Sequence, residues 1–249
     1  MYTEKLFNID KDTPVPLYYQ IKQLILAAIN DGELKGGDAL PTELEFCQKC
    51  DVSRPTVRQA YSELVSERYL YRLKGKGTFV AEQKIDGRFL NKLESFHDEM
   101  KQKGMTPSTK VLSLKQIPGE ARICKKLQLA DTEPLIYLER LRFADGEPVV
   151  YLETYLPYSK LSGLTDKDFE TNALYSLIEE ECHEKVVRVA RELEAVIATP
   201  KEAELLNQKS DKAICFVKTI GYTKQDVPVE YSIARYRGDR NKFKIELYC

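Results

Sequence analysis

Between Thr42 and Ser66 the chain has room for two amphipathic helices with only a few residues between them, and this spacing restricts the local fold more than any other feature. Thr42 and Glu45 form a capping-box pair: the threonine oxygen accepts from the third backbone N–H while the glutamate reaches back, so a short helix opens at Glu43 and runs to about Cys50. Asp51 and Val52 then break the chain before Ser53, a good N-cap, starts the next helix. Val57, Ala60, Tyr61, Leu64 and Val65 recur at helical spacing and mark its buried stripe. Arg54, Pro55, Thr56, Arg58 and Gln59 are left for the solvent side of its first turns. A short helix, a tight turn and a second helix with a cationic start is the helix-turn-helix pattern, whose second helix enters the major groove with its N-terminal residues at base edges.

The flanking segments fit the same unit. Leu17, Ile21, Leu24, Ile25, Ala28 and Ile29 lie on one helical stripe after Pro16, and the glycines of "DGELKGG" end that helix. "YLYRLKGKGTFV" predicts two short strands around Lys74-Gly75-Lys76-Gly77, because glycine supplies the positive backbone angles of a tight hairpin. Such a hairpin is a wing, and its glycines let the backbone approach a phosphate or the minor groove. The whole chain carries a net charge of -1, which excludes nucleic-acid binding by bulk charge. From Lys49 to Thr78, however, seven cations stand against three anions. The positive charge gathers where a winged helix touches DNA.

The totals bound the remainder. A chain of 249 residues with 43% hydrophobic and 31% charged residues is expected to form two soluble domains. No apolar run reaches the roughly 18 to 20 residues that cross a bilayer, and the first residues lack a secretory pattern, so no membrane partner and a cytoplasmic location are expected. Six scattered cysteines then read as reduced thiols. Cys47-x-x-Cys50 has no second half at zinc-finger spacing, and neither metal nor cofactor is expected.

We read residues 1–80 as the DNA-binding domain, 81–87 as a polar linker and 88–249 as a second domain. Leu90, Leu93, Phe96, His97 and Met100 form a helical stripe at the start of the latter. Further on, Asp145-Gly146 between two alternating runs is a strong hairpin signal. A two-residue loop there sets Arg142 opposite Val149, Arg140 opposite Tyr151 and Leu138 opposite Glu153. Arg140, Arg142, Tyr151 and Glu153 then project on one side, with Leu141, Phe143, Val150 and Leu152 on the core side. Arginine forks match phosphate or carboxylate, and a glutamate accepts from hydroxyls, so this face suits a small anionic, hydroxyl-bearing ligand. A solvated strand face with an Arg140 to Glu153 salt bridge is the competing reading. A second hairpin, "AICFVKTIGYT" and "VEYSIARYRGD", places Glu230, Ser232, Ala234 and Tyr236 on a common face. Between the hairpins lie a helix over about 171–182, a strand "VVRVARELEAVIA" and a short helix opened by Thr199-Pro200.

The stretch Pro16–Val80 resembles throughout the winged-helix domain of GntR-type bacterial transcription regulators. From about Arg88 to the end, "LERLRFADGEPVVYLETYLP", "ALYSLIE", "ARELEA" and "VEYSIARYRGDR" are similar to the UTRA effector-binding domain of the HutC subfamily. The resemblance implies an α+β chain: an N-terminal winged helix-turn-helix, then an α/β, chorismate-lyase-like domain with a central, mainly antiparallel sheet. It implies a homodimeric repressor on double-stranded operator DNA, with contacts at Thr42, Ser53, Arg54, Pro55, Thr56, Arg58, Lys74, Gly75, Lys76 and Gly77. It also implies a small anionic effector, a sugar phosphate before a carboxylate, since members that respond to amino-sugar phosphates match at Arg140, Arg142, Glu153, Tyr175, Glu230 and Tyr236; the hairpin register adds Tyr151. Two positions depart from the family: Leu44 replaces a usual arginine, and Ala173 replaces a serine that often binds phosphate. The alternatives are an enzyme of chorismate-lyase-like fold, for which no nucleophile-base pair is readable, and a DNA-binding dimer whose second domain senses nothing.

Overall fold

The computed structural model describes residues 4–81, 84–87 and 92–245 and divides the chain into two compact units, Met1–Gln83 and Lys84–Cys249. The N-terminal unit holds a short 3-10 turn Glu4–Phe7, helices α1 (Leu17–Asn30), α2 (Glu43–Cys50) and α3 (Arg54–Ser66), and strands β1 (Leu70–Leu73) and β2 (Gly77–Val80). The apolar stripes predicted for α1 and α3 meet in one core: Ile21, Ile25, Phe46, Val57, Ala60, Tyr61, Leu64, Leu70 and Val80 are all buried. Tyr61 carries its hydroxyl into this core and donates it to the Pro41 carbonyl at 2.8 Å, so this buried donor is satisfied. The capping box at Thr42 and Glu45 forms with both of its bonds, and Ser53 caps α3. β1 and β2 pair antiparallel as the wing, and Gly75 and Gly77 take φ of 74° and 123°, which side chains with a Cβ rarely adopt. A single bridge from Ala39 to Phe79 widens the wing to a third segment.

The C-terminal unit is built on one antiparallel sheet in the order β4-β5-β6-β9-β8-β7. Its strands are β4 (Pro107–Ile117), β5 (Leu135–Ala144), β6 (Glu147–Pro157), β7 (Arg188–Ile197), β8 (Ala213–Tyr222) and β9 (Pro228–Arg237). Helices α4 (Phe96–Gln102), α6 (Tyr158–Leu161) and α7 (Leu174–Cys182) lie on one face, and α5 (Ala121–Lys126) and α8 (Pro200–Leu205) supply apolar residues to the other. β3 (Ile85–Gly87) pairs parallel with β10 (Asn241–Phe243). Three of the seven residues expected to be linker are therefore sheet-bonded in the C-terminal unit, where Ile85 is buried against Met100 and Val150. The proposed helical stripe also starts later than expected: Ser95 caps α4, Leu93 lies before it, and Leu90 falls outside the described residues.

The main departure from the sequence reading lies in the first hairpin. Asp145 and Gly146 both have positive φ, 51° and 80°, as a type I′ turn requires, and Ala144 faces Glu147 as expected. One step beyond Pro148 the register shifts: Arg142 faces Val150, Arg140 faces Leu152, and Glu139 faces Glu153. Val149 is the extra residue of a β-bulge. Because side chains alternate with period two, one inserted residue turns the rest of β6 over. Val150 and Leu152 thus join Arg140 and Arg142, and Tyr151 and Glu153 project from the opposite face.

Candidate DNA-binding surface and effector cavity

In the N-terminal unit all but one of the expected contact residues are exposed. Thr42, Ser53, Arg54, Pro55 and Arg58 are exposed, Thr56 is half-buried, and Lys74, Gly75, Lys76 and Gly77 are exposed at the wing. What sequence reasoning missed is the acid that organises them. Glu43 accepts from Arg54 Nε at 3.3 Å and from Arg58 Nε and Nη2 at 3.2 Å, and Arg72 of the wing stands 3.7 Å from its other oxygen. Its side chain is only 19% exposed. Burial works to raise the carboxyl, but the hydrogen bonds from Arg58 and Arg54 outweigh it and hold Glu43 below the usual carboxylate range. Since Glu43 takes only Nε of Arg54, the terminal fork of that arginine is left for another acceptor, as bidentate pairing with guanine O6 and N7 requires.

In the C-terminal unit a cavity of about 520 Å³ opens between the sheet, α4 and the start of α7. Of the expected effector residues it brings together Arg140 and Arg142 of β5, Tyr175 of α7, and Glu230 and Tyr236 of β9. Tyr151 and Glu153 are not among its lining, which departs from the expectation drawn from the register and, for Glu153, from the family resemblance as well. They form a separate network on the other face: Tyr137 and Arg235 bond Glu153 at 2.9 and 2.6 Å, and Tyr151 donates to Glu139 at 2.5 Å. The competing salt bridge between Arg140 and Glu153 is excluded by the same turnover of the strand.

Arg140 is 2% exposed and bonds Thr154 weakly, at 3.4 Å; its Nε and that of Arg142 are buried without a hydrogen-bond partner among the described residues. Burial, with Arg142 beside it, pushes the Arg140 guanidinium down to about 9, and burial lowers Arg142 as well. Phe169 and Phe96 lie under the two guanidinia at 5.8 and 5.2 Å, which orients them without neutralising them. Two buried carboxylates share the lining: Glu99 of α4 pairs with Lys103 at 2.5 Å, and Glu230 is engaged by Tyr175, which donates to it at 2.6 Å, and by Ser232, which donates to its other oxygen. Burial and the Glu230 charge keep the Tyr175 hydroxyl protonated, well above its usual range. The sequence reading did not single out Arg191 of β7, which brings a third guanidinium to the lining; a lone arginine in an alternating strand carries no signal of its own. At Ala173, which precedes α7, no side chain caps the helix. The lining thus combines buried Arg140, half-buried Arg142 and a Glu230 carboxylate held by two hydroxyls, beside the uncapped N–H groups at the start of α7.

The fold and these two sites define a class: a DNA-binding winged helix followed by a ligand domain. The comparisons agree. Residues 17–80 match the bacterial regulatory proteins of the gntR family and residues 102–242 match the UTRA domain, so the chain belongs to the GntR family and has the HutC-type arrangement. It is 34% identical to the HTH-type transcriptional repressor NagR of Bacillus subtilis over 95% of this chain and 96% of that protein. It is 32% identical to the mannosyl-D-glycerate transport/metabolism system repressor MngR of Escherichia coli over 92% of this chain and 95% of that one. The crystal structure of PhnF from Mycobacterium smegmatis shares the fold with a TM-score of 0.69 at 24% identity, covering 93% of this chain and 98% of that one. The chain is therefore a GntR/UTRA-type transcription regulator and not an enzyme. Among the described residues no helix is long and apolar enough to cross a membrane.

Proposed function

We propose that this regulator is a cytoplasmic homodimeric repressor in which two winged helices grip a pseudo-palindromic operator and the C-terminal cavity senses a small anionic sugar derivative. The observation that carries the ligand reading is buried Arg140 beside half-buried Arg142 in the cavity lining, their buried Nε atoms bonding nothing among the described residues. Burying a cation without a matched anion is costly, and a phosphate or carboxylate supplied by a ligand removes that cost. Tyr175, Glu230 and Tyr236 are placed to meet hydroxyl or amine groups at the ligand's other end. A sugar phosphate fits both halves. A carboxylate is the second reading, favoured by Ala173 in place of a phosphate-binding serine and by the mannosyl-D-glycerate for which the relative MngR is named. The ligand must bind two conformations with different affinity to act on DNA, and the coupling is reciprocal.

The test is anisotropy titration of the purified chain on DNA from upstream of its own gene, with panels of sugar phosphates and glycosyl carboxylates. One ligand should alter operator affinity, and Arg140→Met should abolish that response with DNA binding intact. A wild-type protein that binds DNA tightly and ignores both panels would refute the sensor and leave the C-terminal unit as a dimeriser.

A further inference from the structure

Leu44 is 59% exposed, the second residue of α2, and packs into none of the hydrophobic clusters. Its place is unusual for such a residue. It follows Glu43 in the chain, and Glu43 bonds Arg54 and Arg58 at the start of α3 and approaches Arg72 of the wing. The start of α2, on which Leu44 stands exposed, is thus tied through Glu43 to the start of α3 and to the wing. Thr42 and Glu45 near it in the chain, and Arg54, Pro55 and Arg58 at the start of α3, are exposed, and all but the proline are polar or charged. An isobutyl group on a surface that meets base edges would strip water from any donor or acceptor it covers without replacing the bond. In the major groove the thymine 5-methyl is the apolar feature it can cover at no such cost.

From this we infer that Leu44 is a specificity-determining residue that selects thymine in each half-site through the 5-methyl group. The inference rests on the reading of the α3 start as the base-facing edge. It also accounts for the departure at this position: a guanidinium asks for guanine, whereas leucine asks for a methyl.

The test uses the full-length protein. An operator is first selected from random duplex DNA, and each thymine is then replaced singly by deoxyuridine, which removes the methyl and changes no hydrogen-bonding edge. One thymine per half-site should lose about fourfold in affinity, the worth of one buried methyl, when replaced. Leu44→Ala should bind the thymine and uracil forms of that site equally, with an unchanged melting curve because the side chain is exposed. Leu44→Arg should shift the selected base at that position toward guanine. A uracil penalty of the same size in wild type and Leu44→Ala, or none in either, would overturn the assignment. Failure to select any operator would instead overturn the reading of α3 on which it rests.

Discussion

Replacing Glu43 by glutamine keeps the shape of the α2 start and removes one negative charge from among three arginines. In the structure that carboxylate accepts three hydrogen bonds from Arg54 and Arg58 and lies 3.7 Å from Arg72, so it offsets about one cation on the DNA-facing surface. Each cation that neutralises a phosphate adds about 0.9 to the slope of log affinity against log salt. Glu43→Gln should therefore steepen that slope by about 0.9 per protomer, or about 1.8 for a dimer. Between 50 and 200 mM salt this amounts to roughly an extra tenfold loss of affinity. Specificity should move the other way. Without the charged hydrogen bonds, worth about 1.5–3 kcal/mol each, the arginine forks are no longer held, and the ratio of operator to random-sequence binding should fall about tenfold or more. Anisotropy titrations on operator and scrambled duplexes across a salt series read both quantities. An unchanged slope together with an unchanged specificity ratio would refute the view that Glu43 neutralises and orients the arginines.

Three other perturbations follow from named contacts. Tyr61→Phe leaves the buried Pro41 carbonyl without its donor and should cost the N-terminal unit about 1–3 kcal/mol, read as a melting midpoint lowered by roughly 4–8 °C per kcal/mol. Gly221→Ala would set a Cβ 2.8 Å from Glu230 Oε2, so effector affinity by calorimetry should fall about tenfold or more while operator affinity stays unchanged. The Glu43 carboxyl is held below its unfolded value, so its contribution to stability is present above the usual carboxylate range and is lost as pH falls through the lower, folded value. Denaturant midpoints of wild type and Glu43→Gln should accordingly converge as pH falls through and below the usual carboxylate range.

The N-terminal unit was legible because its information is local. Capping residues, helical stripes and turn glycines each act within a few positions of where they stand, and Thr42, Ser53 and Gly75 did what their types require. Glu43 was not legible, since its partners lie 11, 15 and 29 positions away and only the packing of α2 against α3 and the wing brings them together. The cavity divides in the same manner. Glu230 and Tyr236 share a face of β9 by simple alternation, whereas Arg191 joins them only because β7 is laid beside β8.

By itself the sequence determined the turn at Asp145-Gly146, the strands on either side of it and the chemistry of the arginines, because backbone angles and side-chain types are properties of single residues. Which face Tyr151 and Glu153 occupy was decided by the tertiary structure alone. Val149 is an ordinary strand residue that becomes a bulge only in the pairing of β6 with β5, and one unpaired residue is enough to exchange the two faces of a strand whose side chains alternate.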